Sequence, residues 1–320
     1  MSQRARGQRR GRRLIHLVSE RPLLVNRRYL PIHLRLVTGL LIMIAVGTGL
    51  LLLPGMTTRP ITFMDALFTA VSAVCVTGLT VLTTATDFTL AGKIVLMLLI
   101  QFGGLGFMVL ILVAMRLLRV EMNLLDRKAL TSSLGFDQPG AIIPIFWRAM
   151  LVILGIEAAG ALLLYIYWRA TGIVAADEAL LFALFHAISS FCNAGFDLFT
   201  GLPGHSDGPA FDTPTMLIMG TLVVLGGLGI PIFMDFLRAR KRRTLALHTR
   251  ITLVTSALLI LLGWVGLLIS EYRLGGVLAD LSLPDRVVDA WFQSVSARTL
   301  PILTSAAWVN CSRKQNRKIC

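Results

Sequence analysis

The sequence predicts an all-α polytopic membrane protein built from repeated units of outer helix, re-entrant loop and inner helix. Three observations predict it. The chain of 320 residues is 55% hydrophobic and 15% charged, with mean hydropathy +0.75; soluble domains carry about 25% charged residues. Apolar stretches long enough to cross the hydrocarbon core alternate with clusters of Lys and Arg. Short amphipathic segments that run into a glycine recur between the long ones, as at Phe63–Leu79.

Residues 1–35 form a basic tail with Arg4, Arg6, Arg9, Arg10, Arg12, Arg13, Arg21, Arg27, Arg28 and Arg35. The positive-inside rule puts this tail, and so the N-terminus, in the cytoplasm. Leu14 to Val18 is apolar enough to lie on the inner surface. No signal-peptide h-region follows the arginines, so the first apolar run reads as a retained anchor. The net charge of +14 does not point to nucleic acid. Its basic residues cluster in the tail and in loops, where they set topology, and no basic helix carries base-stacking aromatics.

Leu36 to Leu53 is the first span and Pro54-Gly55 ends it. Phe63–Leu79 is too short and polar to span, yet it sits between spans. It reads as a half-helix that dips in, with extended backbone returning. Non-helical backbone survives at membrane depth only under protein cover or beside a watery cavity. Thr89 to Leu118 leads back to Arg116, Arg119, Arg127 and Lys128.

The plan repeats with a span over Ile145 to Trp168 and a half-helix over Glu178 to Phe191. Cys192-Asn193-Ala194-Gly195-Phe196 returns, and Pro214 to Leu237 spans back to a run of Arg238, Arg240, Lys241, Arg242 and Arg243. A third round has a span over Ile251 to Ile269 and a half-helix over Asp285 to Arg298. The resulting organisation is a cytoplasmic tail at 1–35, a pore repeat at 36–118, a linker at 119–144, a second repeat at 145–237, a linker at 238–250, a partial third repeat at 251–299 and a divergent tail at 300–320. Phe68, Ser72, Cys75 and Gly78 recur at one constant offset as Phe185, Ser189, Cys192 and Gly195. Phe292 and Ser296 continue the first two positions. One supersecondary unit used several times is most useful around an axis, where each copy gives one wall of a pore.

The glycine-bearing returns carry the chemistry. Backbone carbonyls replace an ion's hydration shell when they converge on a common axis. Turning them inward needs φ values that glycine reaches freely, which suits Gly78 and Gly195. The half-helix C-termini add partial negative charge, which favours a cation. The plainer alternative is a helix–loop–helix turn with a glycine C-cap.

Gly103-Gly104-Leu105-Gly106 and Gly226-Gly227-Leu228-Gly229 interrupt the inner spans. No strand precedes them and no Lys-Ser/Thr follows, so they are not phosphate loops. Close helix packing is the plain reading and a hinge in a pore-lining helix the sharper one, at Gly103, Gly104, Gly106, Gly226, Gly227 and Gly229.

His186, where the first repeat has Thr69, reads as a satisfied packing residue. Cys75 and Cys192 read as small side chains packed behind the returns; with Cys311 and Cys320 they show no zinc-ligand spacing. Asn193 is placed to hold the second return by hydrogen bonding. Asp65 and Asp289 read as carboxylates near half-helix starts, where they complement the dipole. Asp197, Asp207 and Asp212 would enrich cations near a mouth. Arg298 is a charge at the base of a half-helix, costly unless paired or wet. No Ser/His dyad, paired intramembrane carboxylates or metal-ligand cluster marks the spans, so an enzyme is the weakest class.

Ala73-Val74-Cys75-Val76-Thr77-Gly78-Leu79, followed by Gln101-Phe102-Gly103-Gly104-Leu105-Gly106-Phe107, closely resembles the first repeat of the Trk/Ktr/HKT superfamily of potassium transporters. Phe185-His186-Ala187 with Asn193-Ala194-Gly195-Phe196 resembles the second, and Phe292 to Thr299 the third. With no spans before Leu36, the chain looks most like the Ktr translocation subunit. The resemblance implies four units around a pseudo-fourfold pore, incomplete here, in a homodimer embedded in the lipid bilayer of the cell membrane. It implies a cytoplasmic nucleotide-binding ring as regulatory partner and no tightly bound cofactor, K+ being cargo. The filter positions it carries over are Val76, Thr77, Gly78, Asn193, Ala194 and Gly195. Glycine rather than serine at the first return implies potassium over sodium. Pro301 stands where the third filter glycine is expected, and no glycine occurs after Gly276. That departure after Thr299 reads as a truncation or frameshift and predicts impaired conduction. A non-conducting interaction partner of a full-length homologue or of the regulatory subunit is the alternative.

Overall fold

A computed structural model describes residues 32–104, 142–202, 212–229, 231–236, 244–274 and 282–299. The tail up to residue 31, linker residues 119–141, the tail from residue 300, and Gly106, Asp207, Cys311 and Cys320 lie outside the described residues. The chain divides into a unit of residues 1–35 and a unit of residues 36–320, and every contact below lies within the second.

The described elements are helices α1 (Ile32–Leu51), α2 (Phe63–Val74), α3 (Thr84–Asp87), α4 (Leu90–Gly104), α5 (Ile142–Thr171), α6 (Ala179–Phe191), α7 (Thr213–Leu228), α8 (Leu247–Leu274) and α9 (Leu283–Thr299). One antiparallel bridge, Thr57 to Phe88, joins the loops around α3. Within α5 and α8, Met150–Thr171 and Leu247–Ser270 are long and apolar enough to cross a membrane, with mean hydropathies of 2.1 and 2.3. Leu41, Ile42 and Val46 on α1, Leu162, Leu163 and Ile166 on α5, and Val254, Leu259 and Leu262 on α8 are exposed. Apolar faces of that extent suit a hydrocarbon solvent rather than water.

The half-helices α2, α6 and α9 each bury a face in the interior. Ala66, Ala70, Ser72 and Ala73 on α2, and Ala183, Ala187, Ser189 and Ser190 on α6, are buried. Small residues let backbones approach closely where the surroundings give little hydrophobic drive. Each inner helix then packs on its own half-helix and on the next. α4 lies against α2 and α6, and α7 lies against α6 and α9. That rule sets the repeats in one succession.

Half-helix starts are fixed by capping. Thr62 accepts from the Asp65 amide through Oγ1 at 3.2 Å, and Asp65 accepts from the Thr62 amide at 3.0 Å, a reciprocal capping box. The third half-helix corrects the sequence expectation. It starts at Leu283, and the carboxylate that caps it is Asp285, which accepts from Ser282 Oγ and Thr213 Oγ1, each at 2.6 Å. Asp289 lies more than a turn inside α9 and accepts from Gln293 Nε2 at 3.2 Å. The reason is length: α9 has 17 residues against 12 in α2, so the aspartate matched by offset falls in the helix body. Helix α3 had no sequence signal of its own. Asp87 organises it by accepting from the Thr83 amide and from Arg59 Nη2, each at 2.9 Å.

The Thr62 bonds hold the Asp65 carboxyl below the ordinary carboxylate range. A depressed folded-state pKa stabilises at neutral pH, and the contribution is lost as pH falls through that value. Thr62→Ala should therefore lower the thermal midpoint in detergent by about 2–4 °C at pH 7. The difference from the parent should shrink towards pH 3, because protonated Asp65 no longer gains from the cap.

Candidate functional site

Both returns have one backbone. After Cys75 (φ −84°) and Cys192 (φ −71°) end their half-helices, Val76 and Asn193 take φ of 56° and 59°. Two residues on, Gly78 and Gly195 take φ of 70° and 75°. The intervening amide bonds back into the half-helix the same way in each. Thr77 N donates to Ser72 O at 3.0 Å, and Ala194 N donates to Ser189 O at 2.7 Å. The serine hydroxyls then brace the return. Thr77 Oγ1 donates to Ser72 Oγ at 3.0 Å, and Ser189 Oγ donates to Phe196 O at 2.7 Å.

The glycines at Gly78 and Gly195 were legible; the left-handed residues at Val76 and Asn193 were not. Asparagine tolerates this region, but a β-branched residue there is an outlier, held by its surroundings at a cost of about 1–3 kcal/mol. No sequence signal marks Val76.

The structure brings the two returns together. A Cβ placed on Gly78 would overlap Ala194 O and lie 3.2 Å from Gly195 Cα. Gly78 thus sits against Ala194 and Gly195, with backbone on backbone.

The inner-helix glycines are close-approach points. A Cβ on Gly103 would overlap Val74 O, and one on Gly226 would overlap Phe191 O, the equivalent contact in the second repeat. Gly104 meets Cys192, so the first inner helix also packs on the second return. Gly227 lies within α7, and Gly229, at φ 81°, ends that helix before helical backbone resumes at 231–236.

His186 is fully engaged. Leu198 N donates to Nε2 at 3.3 Å, so Nδ1 carries the proton and donates to Phe182 O at 2.8 Å. Trp168 and Phe199 close around the ring at centroid distances of 5.4 Å and 5.0 Å. Thr69 makes the matching bond in the first repeat, from Oγ1 to Asp65 O at 2.8 Å. The cysteines differ: Cys192 is buried behind its return as expected, whereas Cys75 is exposed because no described element covers it. Asn193 Nδ2 donates to Phe191 O at 3.3 Å. Asp197 is spent on a turn, accepting from the amides of Phe199 at 2.9 Å and Thr200 at 2.7 Å, and Asp212 accepts from the Tyr167 hydroxyl. Arg298 Nη1 is buried without a hydrogen-bond partner among the described residues.

Glu157 was missed. A lone carboxylate inside the apolar stretch Ile145 to Trp168 was the available signal, since intramembrane acids are costly and functional by default. It is 4% exposed and accepts from Gln101 Nε2 at 3.1 Å and 3.0 Å. Cys192 Sγ lies 3.9 Å from its Oε1. A cavity of about 90 Å³ is lined by Gly104, Ile153, Phe191, Cys192, Asn193, Gly226, Gly229 and Phe233, without Glu157.

Gly78→Ala and Gly226→Ala should each cost about 1–3 kcal/mol or more, because backbone oxygen fills the methyl's place. Gly49→Ala, with open space around it, should be neutral or stabilising. Denaturant titration in micelles measures all three.

The TrkH family profile, described as cation transport protein, matches residues 32–312. The chain is 36% identical over 264 residues to the Ktr system potassium uptake protein B of Bacillus subtilis, covering 82% of this chain and 58% of that protein. It is 33% identical over 280 residues to the potassium/sodium uptake protein NtpJ of Enterococcus hirae, covering 86% and 60%. It is 35% identical over 243 residues to the Ktr system potassium uptake protein D of Bacillus subtilis, covering 74% and 53%. The chain thus spans little more than half the length of these relatives. With its apolar exposed helices and a family match over most of its length, the chain belongs to the TrkH family of cation transport proteins and is a multi-pass membrane protein.

Proposed function

We propose that the chain forms the translocating part of a Trk/Ktr-like system that takes up potassium, or a monovalent cation, across the cell membrane. The observation that carries this reading is the pair of returns with one left-handed backbone pattern, meeting at Gly78 and Ala194. Val76, Thr77 and Gly78 and their counterparts Asn193, Ala194 and Gly195 supply carbonyls that take the place of hydration water. Potassium is cargo, and no resident cofactor is part of the mechanism. Gly103, Gly104, Gly226, Gly227 and Gly229 combine close packing with a hinge role at the ends of the inner helices, and Gly106 continues the first cluster.

An exposed seam supports a ring with more units than the two returns. Phe68 is 41% exposed on α2, whereas its counterpart Phe185 is 1% exposed. Cys75 is exposed where Cys192 lies under Gly104. Applying the packing rule of α4 on α6 to α2 leaves this face for an inner helix of a further unit. A homodimer, a cytoplasmic N-terminus and a cytoplasmic nucleotide-binding ring belong to the same reading. The seam also favours a second reading, a non-conducting partner that docks on a full-length homologue.

A chimera with residues 36–299 in place of the matching stretch of the Bacillus subtilis relative tests the first. It should restore growth of a potassium-uptake-deficient bacterium at low potassium. Gly78→Asp should abolish that growth, and Gly49→Ala should not. Failure of the parent chimera, or growth of the Gly78→Asp form, counts against conduction. Co-purification of the unaltered chain with the full-length relative, without uptake, would favour the docking reading.

A further inference from the structure

Packing alone does not account for the histidine of the second half-helix. His186 is fully buried, and it uses both ring nitrogens on backbone. Nδ1 donates to Phe182 O at 2.8 Å, one turn back in its own helix. Thr69 makes the same kind of bond in the first repeat. The other nitrogen has no such precedent. Nε2 accepts from Leu198 N at 3.3 Å, and Leu198 lies three residues beyond Gly195. The ring therefore joins the half-helix that enters the second return to the chain that leaves it.

The second return is pinned on both sides as a result. Before Gly195, Ala194 N donates to Ser189 O at 2.7 Å. After it, Ser189 Oγ donates to Phe196 O at 2.7 Å and His186 holds Leu198. The imidazole is itself held. Trp168 stands edge-on to it at 5.4 Å, and the indole Nε1 donates to Thr215 Oγ1 at 2.9 Å.

The fold does not require this tie. At the offset that relates Phe68 to Phe185, the counterparts of Trp168, His186 and Phe199 are Leu51, Thr69 and Leu82, all of them buried. Apolar and small residues thus fill the same place in the first repeat. The chain leaving the first return is also bare. Leu79 and Val81 are 50% and 59% exposed, where their counterparts Phe196 and Leu198 are 2% and 0% exposed.

We propose that His186 is a positioning residue for cation recognition: by holding Leu198 it fixes the carbonyl spacing of Asn193–Gly195 and so favours potassium over the smaller sodium. The proposal rests on the conduction reading and names a residue outside the filter positions. A return pinned at both ends keeps its carbonyls at one spacing. A return pinned at one end lets them close on a smaller ion.

The two bonds of the ring separate by substitution. His186→Gln keeps an acceptor at the reach of Nε2. His186→Thr installs the residue of the first repeat, which keeps the bond to Phe182 O and loses Leu198. The purified full chain in detergent is titrated with KCl or NaCl, at constant ionic strength against choline chloride, and thermal protection is measured. Potassium should protect the parent at lower concentration than sodium does. His186→Thr should raise the half-protecting potassium concentration about fivefold, equivalent to roughly 1 kcal/mol, and leave that for sodium within about twofold. His186→Gln should keep both within about twofold of the parent. Variants that melt earlier with both midpoints unchanged show a purely structural role and overturn the proposal, leaving conduction standing. Equal shifts for the two ions, or equal shifts in the two variants, overturn it as well, and so does a parent that both ions protect equally. A parent that neither ion protects overturns both readings. If His186→Thr does not fold, His186→Asn decides, since it keeps a donor for Phe182 O and loses Leu198. The same fivefold rise for potassium is expected, and an unchanged midpoint overturns the proposal.

Discussion

The contact between Gly78 and the carbonyl of Ala194 constrains everything around it. Two stretches of left-handed backbone can meet only if no side chain stands between them. Glycine at 78 meets that demand in space and in φ together. Each half-helix then ends the same way, with matching bonds to Ser72 O and Ser189 O. The inner helices must approach those ends closely, which Gly103 and Gly226 allow. Small residues on the half-helices complete the same economy of space. The result is left-handed backbone packed on backbone inside an apolar protein.

The repeats share a frame but not a surface. Thr69 and His186 donate to equivalent carbonyls, yet the histidine also accepts from Leu198 and so ties down the segment beyond its return. Cys75 and Cys192 hold equivalent positions, one bare and one covered. Glu157 and Gln101 occur at one junction only.

Most of the architecture was legible. Helical stretches, half-helices and glycine returns follow from apolar length, basic clusters and a constant offset, all properties of local sequence. The positions Gly78 and Gly195 were legible because only glycine reaches those angles cheaply. Val76 was not, since nothing in a valine announces a positive φ that its neighbours impose. Asp289 was misread because offset matching assumes half-helices of equal length. Glu157 was written plainly in an apolar span, but its partners Gln101 and Cys192 lie far away in sequence, so only the packed fold joins them. The exposure of Cys75 depends on what packs beside α2, which no local pattern encodes.

The central claim is that the two returns form one cation path. Anomalous diffraction from crystals grown in rubidium tests it most directly. A rubidium peak at about 3 Å from carbonyl oxygens of both Val76–Gly78 and Asn193–Gly195 is the predicted result. Ordered rubidium elsewhere in the protein, with none between the returns, would contradict it.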